Sequence, residues 1–158
     1  MIQAENCRIS LEQLDLPVEI ISSSYEETRS IGIKLASILK KGSIIGLRGP
    51  LGAGKTCFAK GIAEGIGIKE IIRSPTYTII SEYDSQPPLY HIDAYRLKGD
   101  DDFREMGGEE IVFGSGISLI EWCDRIPAFI PEGAIRVDID IIDNEKRQIH
   151  IYREKTGN

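Results

Sequence analysis

The residues best suited to chemistry lie in one short run, Gly49-Pro50-Leu51-Gly52-Ala53-Gly54-Lys55-Thr56. It fills every fixed position of the phosphate-binding pattern G-x-x-x-x-G-K-[ST]. The glycines let successive backbone N–H groups, those around Leu51, Gly52 and Ala53 included, turn inward as a nest for phosphate oxygens. Lys55 supplies a cation for the β- and γ-phosphates of a nucleotide, and the Thr56 hydroxyl is a hard oxygen ligand for Mg²⁺. The N–H of Cys57 extends the row of phosphate donors, while its side chain is expected only to pack. Mg²⁺ also calls for a carboxylate, since it takes oxygen ligands and keeps several waters. Two candidates end apolar runs: Asp93 after "LYHI" and Glu121 after "ISLI". Either acid alone reads equally as a helix cap or a surface ion-pair partner; the two together beside this loop favour a functional site. The expected division gives Thr56 and Glu121 to the metal, directly or through water. Asp93 would orient the attacking water or the metal's shell.

Such a loop works only between a strand and a helix. "SIIGL" supplies a short buried strand before it. Phe58, Ala59, Ile62, Ala63 and Ile66 then recur on one helical face as far as Gly67. Upstream, "VEIISSS" reads as a strand, and Ser24 stands three residues before Glu27, the spacing of a capping box. Ile31, Leu35, Ile38 and Leu39 continue that pattern and predict a helix from Tyr25 to Lys41. "PTYTIISEY" and "PLYHIDAYRL" predict two strands across the turn-prone "DSQPP". "DDDFREMGG" predicts one short helix with a solvated start at Asp100, Asp101 and Asp102. "ISLIEW" predicts another strand, and "RVDIDIID" with "RQIHIY" a terminal hairpin. The sum is an α/β phosphate-loop NTPase fold, a three-layer sandwich with a mixed sheet. The carboxyl ends of its parallel strands form the rim where ligands bind. His91 shares a strand face with Asp93 and reads as a hydrogen-bonded structural residue. Trp122 reads either as core or as a shield over the site.

Length and composition bound the rest. A chain of 158 residues is expected to form one domain, with residues 1–16 a loosely held extension. The net charge of −6 argues against a broad, nonspecific grip on nucleic acid, which needs a basic face. It leaves open a role beside RNA supported by a partner. No apolar run is long enough for a membrane span, and the N-terminus lacks the pattern of a signal peptide. Cys7, Cys57 and Cys123 have neither disulfide-framework nor metal-ligand spacing and read as free thiols of the cytoplasm.

With these residues in hand, the chain resembles the TsaE (YjeE) family. The resemblance rests on "GPLGAGKT", "SPTYT" (Ser74 to Thr78), "HIDAYR" (His91 to Arg96) and "LIEW" (Leu119 to Trp122), in that order. The loop by itself is unspecific; the four segments together are specific, and the match runs from Tyr25 through the hairpin. Ala94 stands where leucine is common and Cys123 where proline or serine is common, both outside the expected chemistry. The resemblance implies a weak Mg²⁺-dependent ATPase of tRNA threonylcarbamoyladenosine formation, acting with TsaD and its scaffold partner TsaB. It also implies a nucleotide seat near Tyr25, whose ring either stacks on adenine or serves as a hydrophobic staple. Ser74 to Thr78 would be a switch segment, with Thr76 sensing the γ-phosphate or simply starting a strand. Two rival readings remain on sequence alone. A small-molecule phosphotransferase would carry an arginine-rich lid, whereas Arg96, Arg104 and Arg125 are dispersed. A nucleotide-gated binding module would not need both Asp93 and Glu121.

Overall fold

The computed structural model describes residues 15–73 and 78–155. Seven strands form one sheet in the spatial order β1-β7-β6-β2-β5-β4-β3. They are β1 (Val18–Ser22), β2 (Ile44–Arg48), β3 (Ile80–Tyr83), β4 (Leu89–Asp93), β5 (Ile117–Glu121), β6 (Ile135–Ile141) and β7 (Arg147–Arg153). The central strands β6, β2, β5 and β4 run parallel, while β7 and β3 are antiparallel to their neighbours. Parallel strands must be covered on both faces, which is why "IIGL" and "ISLIE" are apolar almost throughout. The mixed sheet and the β6–β7 hairpin are as the sequence predicts.

Helices α1 (Tyr25–Ala36) and α2 (Lys55–Ile66) cover one face. Leu35, Phe58 and Ile62 pack there with Leu47, Leu119, Val137 and Ile149 in one apolar cluster. The opposite face holds Ile92 and Ile120 under Phe103, Val112 and Phe129. These come from the short helices α3 (Asp100–Glu105) and α4 (Gly108–Val112) and the 3₁₀ turn Pro127–Phe129. The result is three layers. Helices α1 and α2 can approach closely because Gly61 has no Cβ, which would collide with the Arg29 carbonyl.

Several boundaries differ from the sequence reading. Helix α1 stops at Ala36, not Lys41. Ser37 Oγ donates to the Lys34 carbonyl (2.7 Å), and Ile38 and Leu39 bond to carbonyls three residues back, so the last turn tightens instead of continuing. Ile38 and Leu39 still pack on the core, which explains the longer apolar pattern. Strand β3 begins only at Ile80, because Ile79 has a left-handed φ of 63°. Residues 74–77, with the expected strand start, lie outside the described residues. The one helix expected around "DDDFREMGG" is two, divided at Gly107 (φ 83°). Asp100 and Asp102 are not merely solvated: they accept the Ala128 and Lys98 amides. At the N-terminus, Leu16 packs against the core, whereas residues 1–14 lie outside the described residues.

Candidate functional site

The phosphate loop leaves β2 at Arg48 and enters α2 at Lys55. Gly52 (φ 81°) and Gly54 (φ 104°) adopt the left-handed conformation that a side chain would strain. Gly54 caps α2 without any side-chain bond to the helix's first amides. Those amides and the positive end of a 12-residue helix therefore face the cleft, a ready anion site. The Ala53 N–H donates to the Pro50 carbonyl (3.1 Å), which closes the turn.

Lys55 is only 5% exposed. Its Nζ donates to the carbonyls of Gly49 (2.8 Å) and Pro50 (3.0 Å) and lies 4.1 Å from the centroid of the Trp122 ring. Burial holds its ammonium below the ordinary lysine range, against the opposing pull of Glu121, Asp93 and Asp124. Trp122 thus joins the two readings, covering Lys55 while it packs against the core and against Tyr95, 4.9 Å away between ring centroids. It holds a left-handed φ of 58°, so the chain turns sharply just after Glu121.

Glu121 is the acid at the centre. It is 3% exposed at the end of β5, and Thr56 Oγ1 donates to its Oε1 at 3.2 Å. The fully buried His91 places Nε2 2.5 Å from Glu121 Oε2. With Glu121 ionised the carboxylate can only accept, so Nε2 is the nitrogen that carries the hydrogen. His91 Nδ1 is buried without a hydrogen-bond partner. Asp93 is the register partner of Glu121 across β4 and β5, and its Oδ1 accepts the Tyr95 amide at 3.0 Å. The fold thus aligns both acids beside the loop because neighbouring parallel strands end together.

These groups line one cleft of about 830 Å³. Leu51, Gly52, Ala53, Gly54, Lys55, Thr56 and Cys57 form one side, with Asp93 and Glu121 opposite. Gly49 does not line it; its carbonyl holds Lys55 instead. Tyr25, 53% exposed, lines the mouth at the start of α1. The N-cap half of the capping box is present, with Ser24 Oγ accepting the Glu27 amide (3.1 Å), whereas Glu27 reaches one residue further back and accepts the Ser23 amide (2.6 Å). Cys57 does more than pack, since its thiol donates to the Tyr25 carbonyl (3.3 Å) and burial pushes it above the usual thiol range. Thr76 lies outside the described residues.

Among the described residues, no group of three or more His, Cys, Asp or Glu could hold a metal by itself. The Thr56 hydroxyl beside the Glu121 carboxylate is nonetheless a hard-oxygen pair. It fits Mg²⁺, which takes its remaining ligands from phosphates and water.

Further residues that the sequence analysis does not assign to the site line the cleft. Arg96 and Arg147 both line the cleft, whereas Arg104 and Arg125 do not. Arg147 donates to the Ala53 (3.1 Å) and Gly52 (3.2 Å) carbonyls from the far end of the chain. The β6–β7 turn adds Asn144 and Glu145 to the wall. No local pattern signals the Arg147 contacts, because they span about ninety residues; Arg96, by contrast, closes the segment "HIDAYR" three residues after Asp93.

Comparison with known proteins agrees with this geometry. Residues 22–149 match the family model described as threonylcarbamoyl adenosine biosynthesis protein TsaE. The tRNA threonylcarbamoyladenosine biosynthesis protein TsaE of Treponema pallidum is 39% identical, over 83% of this chain and 97% of that protein. The protein of the same name from Bacillus subtilis is 42% identical over 78% of each chain. The crystal structure of Bacillus subtilis YdiB superposes with a TM-score of 0.73 at 35% identity, covering 90% of this chain and 89% of that one. A loop, a helix start and two strand-end acids in one cleft, with this similarity along most of the chain, lead to one assignment: the protein belongs to the TsaE family.

Proposed function

We propose that this chain binds Mg·ATP in the cleft and hydrolyses it slowly on its own. It would serve the threonylcarbamoyladenosine modification of tRNA, at the adenosine next to the anticodon, together with TsaB and TsaD. The observation that carries this reading is the convergence of Lys55, Thr56, Asp93 and Glu121 on one cleft beside the loop amides. Lys55 exchanges the Gly49 and Pro50 carbonyls for β- and γ-phosphate oxygens, recovering in charge pairing what burial costs its ammonium. The amides of Gly52 and of Gly54 through Cys57 hold the phosphates, while the Ala53 amide keeps the turn closed on Pro50, and the exposed ring of Tyr25 stacks on the base.

Thr56 and Glu121 would hold Mg²⁺, which supplies neutralisation of the charge developing on the phosphates. Asp93 orients the attacking water or the hydration shell, and Trp122 keeps bulk water from Lys55. His91 fixes the Glu121 carboxylate from behind. The nucleotide state would govern docking on a TsaB–TsaD complex, with the segment from Ser74 to Thr78 as the switch and tRNA met through the partners. No helix among the described residues is long and apolar enough to cross a membrane, which accords with a cytoplasmic role.

The test is phosphate release from ATP by the protein alone, with TsaB–TsaD, and with TsaB–TsaD plus tRNA. Slow Mg²⁺-dependent release that rises with the partners is the expected result. Transfer of phosphate to a small acceptor, or binding without release in every mixture, would replace this reading with one of its rivals.

A further inference from the structure

Arg147 begins β7, yet its guanidinium reaches back to the phosphate loop and to the turn before it. Nε donates to the Ala53 carbonyl (3.1 Å) and Nη2 to the Gly52 carbonyl (3.2 Å). Nη1 donates to the carbonyls of Asp143 (2.7 Å) and Lys146 (3.0 Å). One side chain thus joins four backbone carbonyls, two in the loop and two in the β6–β7 turn. We infer that Arg147 is a positioning residue for the phosphate loop, clamping the Gly52 and Ala53 peptide planes so that the loop amides are preset for phosphate. This rests on the reading of the cleft as a nucleotide site.

The physical reason lies in the peptide unit. A trans peptide is planar and carries its C=O and N–H on opposite sides. Holding the Gly52 carbonyl toward Arg147 turns the Ala53 N–H away from it, into the bond with the Pro50 carbonyl (3.1 Å) that fixes the shape of the turn. Holding the Ala53 carbonyl likewise turns the Gly54 N–H away from the hairpin. Both glycines sit at positive φ, one of several conformations open to glycine, so without an external hold the loop would lose more freedom on binding. Fixing it beforehand raises affinity by lowering that ordering cost. The rigid, planar fork of arginine suits two neighbouring carbonyls; the single nitrogen of lysine does not. Arg147 also borders the cleft, so its charge alone could attract phosphate, and the variants must separate the two effects.

The test measures ATP affinity by calorimetry for wild type, Arg147→Gln and Arg147→Lys, each checked by thermal melting. It adds hydrogen exchange of the Ala53 amide in the ligand-free proteins. Having to order about one more loop residue on binding should weaken ATP binding about tenfold in both variants. Exchange at Ala53, whose amide is bonded to the Pro50 carbonyl, should accelerate while amides of the central strand, Ile45 and Leu47, keep their protection. Full affinity in Arg147→Lys would show that charge, not the clamp, is what matters, and would overturn the inference. Unchanged exchange at Ala53 in Arg147→Gln would overturn it as well, even with weakened binding. A variant that does not fold would protect no central amides, and Arg147 would then be a structural residue, again against the inference. If wild type binds ATP and both variants match it, only the role of Arg147 falls; if wild type binds none, the nucleotide reading falls too.

Discussion

Replacing Glu121 by Gln should separate chemistry from architecture at the centre of the cleft. Glutamine keeps the volume of the 3%-exposed side chain, so no cavity opens. It still offers one oxygen, but the contacts with His91 at 2.5 Å and Thr56 at 3.2 Å lose their charge assistance. A hydrogen bond to a charged group contributes about 1.5–3 kcal/mol and a neutral one about 0.5–1.5 kcal/mol. The fold should therefore lose about 1–2 kcal/mol, which for a chain of this size lowers Tm by roughly 2–8 °C. Nearly all molecules stay folded at 25 °C, since native domains hold about 5–15 kcal/mol. Hydrolysis should fall much further, by ~10²–10³, the usual loss when one transition-state electrostatic group is removed. The assay is single-turnover phosphate release at 25 °C, set beside a thermal melt of the same preparation. A lowered Tm with a wild-type rate would refute the reasoning and leave Glu121 as a structural acid joining β4, β5 and α2.

Lys55→Met should abolish ATP binding, yet the ligand-free protein should melt no lower than wild type. Burial depresses the Lys55 pKa, so the charged form costs the native state at neutral pH, and that cost is relieved only as pH rises from the lowered pKa to the ordinary lysine value of 10.5. A clear fall in Tm would show that the buried ammonium stabilises the empty loop. Cys123 gives a test at alkaline pH. Burial raises its thiol from 9.0 to about 11, so the native chain keeps a proton that the unfolded chain loses. Stability should fall by about 2–3 kcal/mol as pH rises from 9 to 11, on top of other groups, and Cys123→Ser or Cys123→Ala should flatten that slope. An equal slope in wild type and variant would remove Cys123 as its source. Gly61→Ala should destabilise by about 1–3 kcal/mol, since its Cβ meets the Arg29 carbonyl; an unchanged urea midpoint would mean that α1 and α2 separate freely.

What the sequence made legible was local or tied to burial. The phosphate loop reads directly because its glycines, lysine and threonine are consecutive. Asp93 and Glu121 read because each ends an apolar strand, and their pairing in register follows from parallel neighbours ending together. The Ser24–Glu27 cap reads from its spacing. Apolar periodicity overextends helix α1 because Ile38 and Leu39 pack on the core from a tightened turn, which periodicity cannot distinguish from a helix. The pairing of β1 with β7 joins the two ends of the chain, and no local pattern encodes it. Arg147 escaped notice for the same reason, as its acceptors are backbone carbonyls that leave no mark in residue type. His91 looked structural and is buried, but its bond to Glu121 makes it part of the site's support.

The central claim is that the loop amides of this chain receive the phosphates of a nucleotide. The most direct measurement follows the backbone amide resonances of the labelled protein during titration with Mg·ATP, with adenosine as the control. The account predicts saturable shifts concentrated at Gly52 to Cys57, with further shifts at Asp93 and Glu121, and no loop shifts with adenosine. A loop that stays unmoved at saturating Mg·ATP, or shifts confined to another surface, would contradict it.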